Sequence, residues 1–559
     1  MNKKIKVFVI IITLLVLSSI APVATSIKIS NAQKQNLEEI NNIQSIGGLP
    51  SYFNWRDRNG VDYTTPIRDQ SPLSSCETFS LVAAIESMIQ IKLNLSFDCD
   101  LSEAHLWFNS EPNLRYGSYP DNNLKYLKNH GIPDEACWPY PSEKEMYAPN
   151  STCDCWKNRS VKITGWEFLP AEQTAIKNAL INYGPIPTFI ICYQDFMLYR
   201  GGIYRHNWGK AIEPHMVTIV GYNDDPGYWI VKNSWGTKWG ENGWFRIEYG
   251  QNSIEEYSIL IKDVCGKFPI TYVDDDNSIS PFDGTKENPY KTIQQGIDNS
   301  YSGYTLYVQN GLYEENIIVN KTLKIFGEDK INTIVDGKGE KNVITILSEN
   351  VEISGFTIQN SGSNELDAGI GIQSKTVMTD ANATINQNII HKNKIGVHSY
   401  ISCSNILRNN CIKNNDIGIY FFMSINNLIQ ENNISNNKIY GIKSEWGQGN
   451  YIGNIVDSNN KSGIYLRGGS SKNMIKEGNT IKNNDIGIKI FHSNKNVISG
   501  NNFINNDKHA TFIDSYQTKW IRNYWDDHEK IFPKIIKGII GKNEITWLNF
   551  DWLPSKNPL

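Results

Sequence analysis

The sequence predicts two kinds of fold in one chain, an α+β domain followed by an all-β right-handed parallel β-helix. Three observations predict this. Helical spacing gives way to short β-branched strands in the first half, an Asn- and Gly-marked motif recurs about every 22 residues in the second, and 559 residues are too many for a single core. A net charge of −4 leaves no electrostatic footprint for nucleic acid.

The N-terminus, "MNKKIKVFVIIITLLVLSSIAPVATS", sets Lys3, Lys4 and Lys6 before an apolar run from Val7 to Ile20 and then small residues. This is the grammar of a secretory signal over residues 1–26, and it predicts a secreted or cell-surface protein. An uncleaved anchor is the alternative and the sole predicted route to a membrane, because no second run of about 20 apolar residues follows. Residues 27–48 read as a short pro-segment or linker. Of nine cysteines, seven precede Gly266. With Cys76 set aside, Cys99, Cys137, Cys153, Cys155, Cys192 and Cys265 allow three disulfides of undetermined pairing. Cys153 and Cys155 lack companions at zinc-finger spacing, so no metal is expected there.

Over residues 49–266, Phe79, Val82, Ile85 and Ile89 recur at three-to-four-residue spacing and predict a helix from Ser75 to about Lys92. "HMVTIVGY" and "YWIVKNSW" read as buried strands. Cys76 falls in the first helical turn, where the macrodipole and free N–H groups favour a thiolate. Acyl transfer by a thiol also needs a proton carrier, an orienter and oxyanion donors. His215 is the candidate carrier and Asn233 its orienter. Gln70 is positioned upstream to stabilise an oxyanion, and Trp235 to shield the His215–Asn233 hydrogen bond. Ser74 and Glu77 form the pattern of a capping box, which would turn the Glu77 carboxylate away from the sulfur.

These residues carry a resemblance. "LPSYFNWRD", Gln70 and Cys76 with "FS" after it, "LSE" at Leu101, "GI" at Gly131, "WPY" at Trp138, "YGPI" at Tyr183, "YRGGIY" at Tyr199, His215 with "VGY", and "KNSWGTKWGENGWFRI" at Lys232 stand in the order of a papain-family cysteine peptidase. The resemblance implies a two-lobed fold with a cleft between lobes and a thiolate–imidazolium pair acting on a protein or peptide substrate, with no cofactor. It also implies that Gly117, Ser118 and Trp235 line the substrate cleft. Three positions depart from the family pattern: Leu73 stands for a cysteine, Glu77 for an aromatic, and Ser118 for the second glycine of a pair. The 27–48 segment is too short for the helical propeptide of that family, so little autoinhibition is expected.

From residue 267 to 559 the grammar changes. "IIHKNKIGVHS", "CIKNNDIGIYF", "NISNNKIYGIKS", "VDSNNKSGIYL" and "TIKNNDIGIKI" place glycines at Gly396, Gly418, Gly441, Gly463 and Gly487. Ile is expected to stack in an interior column, Asn to tolerate left-handed corners and form ladders, and Gly to make tight bends. With the opening "YVDDDNSISPFDGTKENPYKTIQQGID" and the closing "RNYWDD", this half resembles the pectate-lyase-like repeats of NosD-type and many archaeal surface proteins. Asp274, Asp275 and Asp276 read as a solvated turn rather than a calcium site. Tyr420, Trp446 and Tyr465 suit binding to a surface polysaccharide or glycoprotein. The function expected is a secreted cysteine peptidase with a β-helix for targeting. The alternative is a carbohydrate-binding or carbohydrate-active surface protein whose peptidase half is silent.

Overall fold

The structure, a computed structural model, describes residues 48–110, 119–142, 153–278, 280–373, 379–528, 533–541 and 543–559. The leader, nearly all of the 27–48 segment, and the expected cleft residues Gly117 and Ser118 lie outside the described residues.

The first half packs around two large apolar clusters, with a small third one at Val220, Ile230 and Trp244. One belongs to a helical lobe built from the helices Cys76–Leu93, Glu103–Ser110 and Pro120–Asn129. The Cys76–Leu93 helix is buried on every face from Cys76 to Gln90, as expected of a helix that is apolar all round. It ends at Asn94, whose φ of 51° breaks the helical path. The second cluster lies against an antiparallel sheet with the order Tyr52–Asn54, Ala211–Asn223, Tyr228–Lys232, Trp244–Glu248, to which Ile203–Tyr204 adds in parallel. Ile186–Tyr193 also pairs with Ala211–Asn223. Trp239 and Trp244 are buried.

The cysteines depart from expectation. Cys137 and Cys153 are bonded to each other, which removes Cys153 as a metal ligand. Cys99, Cys155, Cys192 and Cys265 are free, so three disulfides do not form. The reason is spatial: Cys99 lies in the helical-lobe core, Cys192 in the sheet core, and Cys265 faces solvent.

The second half is a parallel solenoid with three strands per coil. One face is a 10-stranded sheet, and the other two strand series join into a 22-stranded sheet. Residues stack in register through the interior, so that Ile385, Leu407, Ile429, Tyr451, Ile475, Ile498 and Trp520 form one buried column. Each such side chain contributes about 1.5–3 kcal/mol of burial. An antiparallel hairpin, Lys534–Ile540 with Ile545–Asp551, ends the parallel ladder.

Asn has two roles, divided between neighbouring positions. Asn409, Asn414, Asn436, Asn483 and Asn505 take positive φ at the corners. The next residue in each case is buried: Asn410, Asn415, Asn437 and Asn484 donate to an asparagine of the next coil, and Asn506 donates back to Ile481 O of the preceding one. One ladder runs Asn388, Asn410, Asn432, Asn454, Asn479, Asn501 and Asn523, side-chain amide to side-chain carbonyl at 2.8–3.2 Å. It ends on the buried Asp551 carboxylate, which accepts from Asn523 Nδ2 at 2.9 Å.

The recurrent glycines do not make the expected bends. Gly396, Gly418, Gly441 and Gly463 sit within strands, and a Cβ on each would lie 2.5, 2.5, 2.6 and 2.8 Å from the carbonyl oxygen of the glycine in the next coil. Their role is to let stacked backbones approach.

The two halves share a core. Ile270 and Tyr272, in the first solenoid strand, belong to the same buried cluster as Leu101, Val161 and Val264 of the helical lobe. Arg159 adds a polar tie. It pairs with Asp134 at 2.7 Å, donates to Ser302 O at 2.9 Å, and lies 4.7 Å over the Tyr301 ring.

Asn432 accepts from both nitrogens of Asn410 and donates to Leu407 O and to Asn454 Oδ1. Asn432→Leu leaves these buried groups unsatisfied and is expected to lower unfolding stability by roughly 2–4 kcal/mol, read by denaturant titration; an unchanged midpoint would show that the ladder is not stabilising.

Candidate active site

Three of the four expected catalytic residues lie on the seam between the lobes. Cys76 is the first residue of the buried helix, and the Sγ receives a hydrogen bond from the main chain of Met216, the residue after His215. His215 is 3 % exposed on the long strand Ala211–Asn223, and its Nε2 lies 2.7 Å from Asn233 Oδ1. That hydrogen bond holds the imidazole in one orientation. Trp235 stacks on the His215 ring at 4.6 Å between centroids, with 25° between planes, and covers the pair. Trp235 in turn meets Trp239 and Phe196 edge-on, which locks the ring.

Gln70 lies in an irregular stretch between Asp57 and Cys76, so tertiary contacts must set its position. Its N–H donates to Ser234 O at 2.8 Å, and its carbonyl accepts from Tyr140 Oη at 2.6 Å. Ser234 Oγ donates to Gln70 Oε1 at 2.6 Å. With Oε1 engaged, the amide Nε2 is the side chain's remaining donor. Ser234 and Tyr140 were not singled out from sequence. Ser234 lies inside the quoted "KNSWG" run, yet nothing local signals a contact 164 residues away in the chain.

The expected capping box is absent. Ser75, not Ser74, is the N-cap, and its hydroxyl is paired with Tyr140 Oη at 2.7 Å instead of a helix N–H. The Glu77 carboxylate acts directly on the thiol. Burial, and after it the Glu77 charge and hydrogen bond, push the Cys76 thiol well above its ordinary value, while the Met216 hydrogen bond works the other way. Burial pushes His215 down to about 4 against the Asn233 hydrogen bond, which favours the charged ring. Both shifts favour neutral thiol and neutral imidazole over the thiolate–imidazolium pair that the family resemblance implies. The remaining buried histidine of this half, His105, packs between Trp138 and Trp156 and is also pushed down to about 4 by burial.

Of the three aromatics expected to meet a glycan, Trp446 alone is exposed, at 60 %. Tyr420 is stacked on His398 at 5.0 Å and covered by Lys443 at 4.1 Å, and Tyr465 packs on Tyr440 at 5.0 Å. Register in the solenoid brings each beneath a neighbour from an adjacent coil.

Removing the Glu77 charge takes away a repulsion that disfavours the thiolate. In Glu77→Gln, the pH midpoint for alkylation of Cys76 by iodoacetamide is expected to fall and the rate at neutral pH to rise several-fold; a midpoint that stays put or rises would show that Glu77 does not govern the thiol.

Residues 49–265 match the model of the papain family cysteine protease, and residues 297–540 that of the periplasmic copper-binding protein NosD. The chain is 32% identical over 235 residues to pro-cathepsin H of Mus musculus, covering 40% of this chain and 67% of that protein. It is 35% identical over 214 residues to cathepsin M of Mus musculus, covering 36% of this chain and 60% of that relative. The chain thus spans about three fifths of the length of cathepsin M. Among solved structures, the Carica candamarcensis cysteine protease in complex with E-64 is 30% identical, with 38% of this chain and 99% of that chain covered and a TM-score of 0.34.

Among the described residues, neither cluster of metal-ligating side chains fits a copper ion. His509, Asp526 and Asp527 converge, but Asn506 Nδ2 lies 3.2 Å from His509 Nδ1 and donates to Ile481 O, while Asn506 Oδ1 accepts from Asn484. Nδ1 must then accept, so Nε2 carries the proton towards Asp526 at 2.8 Å. Lys534 Nζ, 2.5 Å from Asp527, already supplies a cation. The cluster Asp274, Asp275 and Asp276 offers hard oxygen atoms only. The ordered cleft residues and the match over 49–265 agree: the chain belongs to the papain family of cysteine proteases.

Proposed function

We propose that this chain is a secreted cysteine peptidase, with residues 49–266 as its catalytic unit and 267–559 as a β-helix that holds it at a surface polysaccharide or glycoprotein. The observation that carries the catalytic reading is the His215–Asn233 hydrogen bond beneath Trp235, on the seam that also holds Cys76. The Cys76 proton passes to His215 as Sγ attacks the scissile carbonyl carbon. His215 then gives that proton to the leaving amine, and water, deprotonated by His215, releases the acyl group. Gln70 Nε2 and the Cys76 N–H stabilise the oxyanion, and Asn233 keeps the imidazole oriented. Gly117, Ser118 and Trp235 line the substrate cleft.

One observation favours the second reading, a surface-binding protein with a silent peptidase half. Glu77 beside the sulfur works against the nucleophile.

The two readings separate in one experiment. With a peptidyl amide substrate, Cys76→Ala is expected to lower kcat by more than about 1000-fold and Gln70→Ala by about 100-fold; thiol-independent or absent hydrolysis would leave the second reading. The full chain is also expected to sediment with insoluble surface polysaccharide, and Trp446→Ala to weaken that binding several-fold through loss of the indole face that packs on the C–H face of a sugar ring. No co-sedimentation by the unmodified chain would reject the targeting role.

A further inference from the structure

A chain of ion pairs joins the solenoid to the stretch that carries Gln70. Arg68, two residues before Gln70, places Nη2 2.8 Å from Asp98 Oδ1 and 3.0 Å from Asp100 Oδ1. The other Asp98 oxygen lies 2.5 Å from the Nζ of Lys324. Lys324 opens the strand Lys324–Gly327 of the solenoid, in register with Thr305 and Glu352. The Asp98 carboxylate is therefore shared, one oxygen to the peptidase half and one to the solenoid.

The geometry of this link is not that of a loose surface pair. The side chains of Arg68, Asp98, Asp100 and Lys324 are 28–31% exposed. Such a setting screens charge less than open solvent does. Burial works against the Asp98 carboxylate, but Lys324 and Arg68 together hold it below its usual range. Burial also raises Asp100, which Arg68 opposes. Two carboxylates face two cations, and loss of Lys324 would leave Asp98 and Asp100 to one guanidinium. Beside the link, Leu95 and Phe97 of the helical lobe and Tyr307 and Phe326 of the solenoid line a cleft of about 540 Å³. Part of this junction is thus open, and the ion pairs are placed to hold its edge.

Arg68 also reaches the site through its main chain. Its carbonyl accepts from Gly236 N at 3.1 Å, next to Trp235, and the Gln70 N–H donates to Ser234 O two residues on. A shift of the guanidinium is a shift of the segment that sets the Gln70 amide. Small displacements of an oxyanion donor cost rate rather than substrate affinity.

We propose that Lys324 is a positioning residue for the cleft: by holding Asp98 it fixes Arg68, and through Arg68 the main chain that presents Gln70, so the solenoid tunes the oxyanion arm of the peptidase half. This rests on the peptidase reading given above.

The test uses the full chain with Lys324→Met and Lys324→Arg. For Lys324→Met, kcat for a peptidyl amide is expected to fall about five- to tenfold with KM within about twofold. Hydrogen exchange over residues 66–75 should quicken while that over residues 395–525 is unchanged, and Lys324→Arg should restore both readouts. Unchanged kcat and exchange in Lys324→Met would overturn the proposal. Exchange that quickens throughout the solenoid, with a KM change or no rescue by arginine, would also overturn it, since it marks a merely structural lysine. If the unmodified chain hydrolyses no peptide, the peptidase reading fails by itself. The exchange at 66–75 then decides the positional link, faster in Lys324→Met upholding it and unchanged overturning it.

Discussion

Pairing of buried polar groups is the constraint on which both halves are arranged, and the exceptions among the described residues, such as His105 Nδ1 and Nε2, Asn233 Nδ2 and Trp520 Nε1, stand outside the ladders and ion pairs that hold the fold. In the solenoid from Asn388 onward, the coils turn their corners through left-handed residues and then bury asparagines whose amides bond to adjacent coils. The ladder cannot end on an unpaired amide, and it ends on Asp551, whose Oδ2 also accepts from Trp525 Nε1 at 3.2 Å. In the cleft the same rule seats the His215 imidazole on Asn233 and the Gln70 amide on Ser234. At the junction it gives Arg159 both Asp134 and the Ser302 carbonyl.

Satisfying a buried group and activating it are different demands, and the cleft shows the tension. A thiol at a helix start gains from the free N–H groups there, but the gain competes with desolvation and with whatever charge stands beside it. Here Ser75 is the N-cap and its hydroxyl pairs with Tyr140, while the Glu77 carboxylate acts on the sulfur. The result is a site whose hydrogen-bond geometry belongs to its family while its resting electrostatics favour the neutral pair.

The solenoid is joined to the helical lobe, not tethered by a free linker. Ile270 and Tyr272 enter the lobe's core, and ion pairs flank that contact at Arg159 and at Asp98. Such docking makes the solenoid part of the frame on which the Gln70 stretch rests. A rigid frame matters most for groups in irregular backbone, because these lack a ladder or helix of their own to hold them.

By itself the sequence determined the division into an α+β half and a parallel β-helix, the helix that opens at Cys76, and the pairing of His215 with Asn233. The first two follow from periodicity, a local property of the chain, and the third from the order of motifs that carries the papain-family resemblance. The doubled asparagines were legible as ladder and corner residues together, but the assignment of one role to each needed the φ angles. Only the tertiary structure decided that the repeat glycines serve close approach between coils, that Cys137 and Cys153 pair while Cys99 and Cys192 do not, and that Glu77 faces the thiol. It alone brought Ser234 and Tyr140 to Gln70, and Lys324 to Asp98. Each of these depends on which groups distant in sequence share a volume, and packing, not spacing along the chain, decides that.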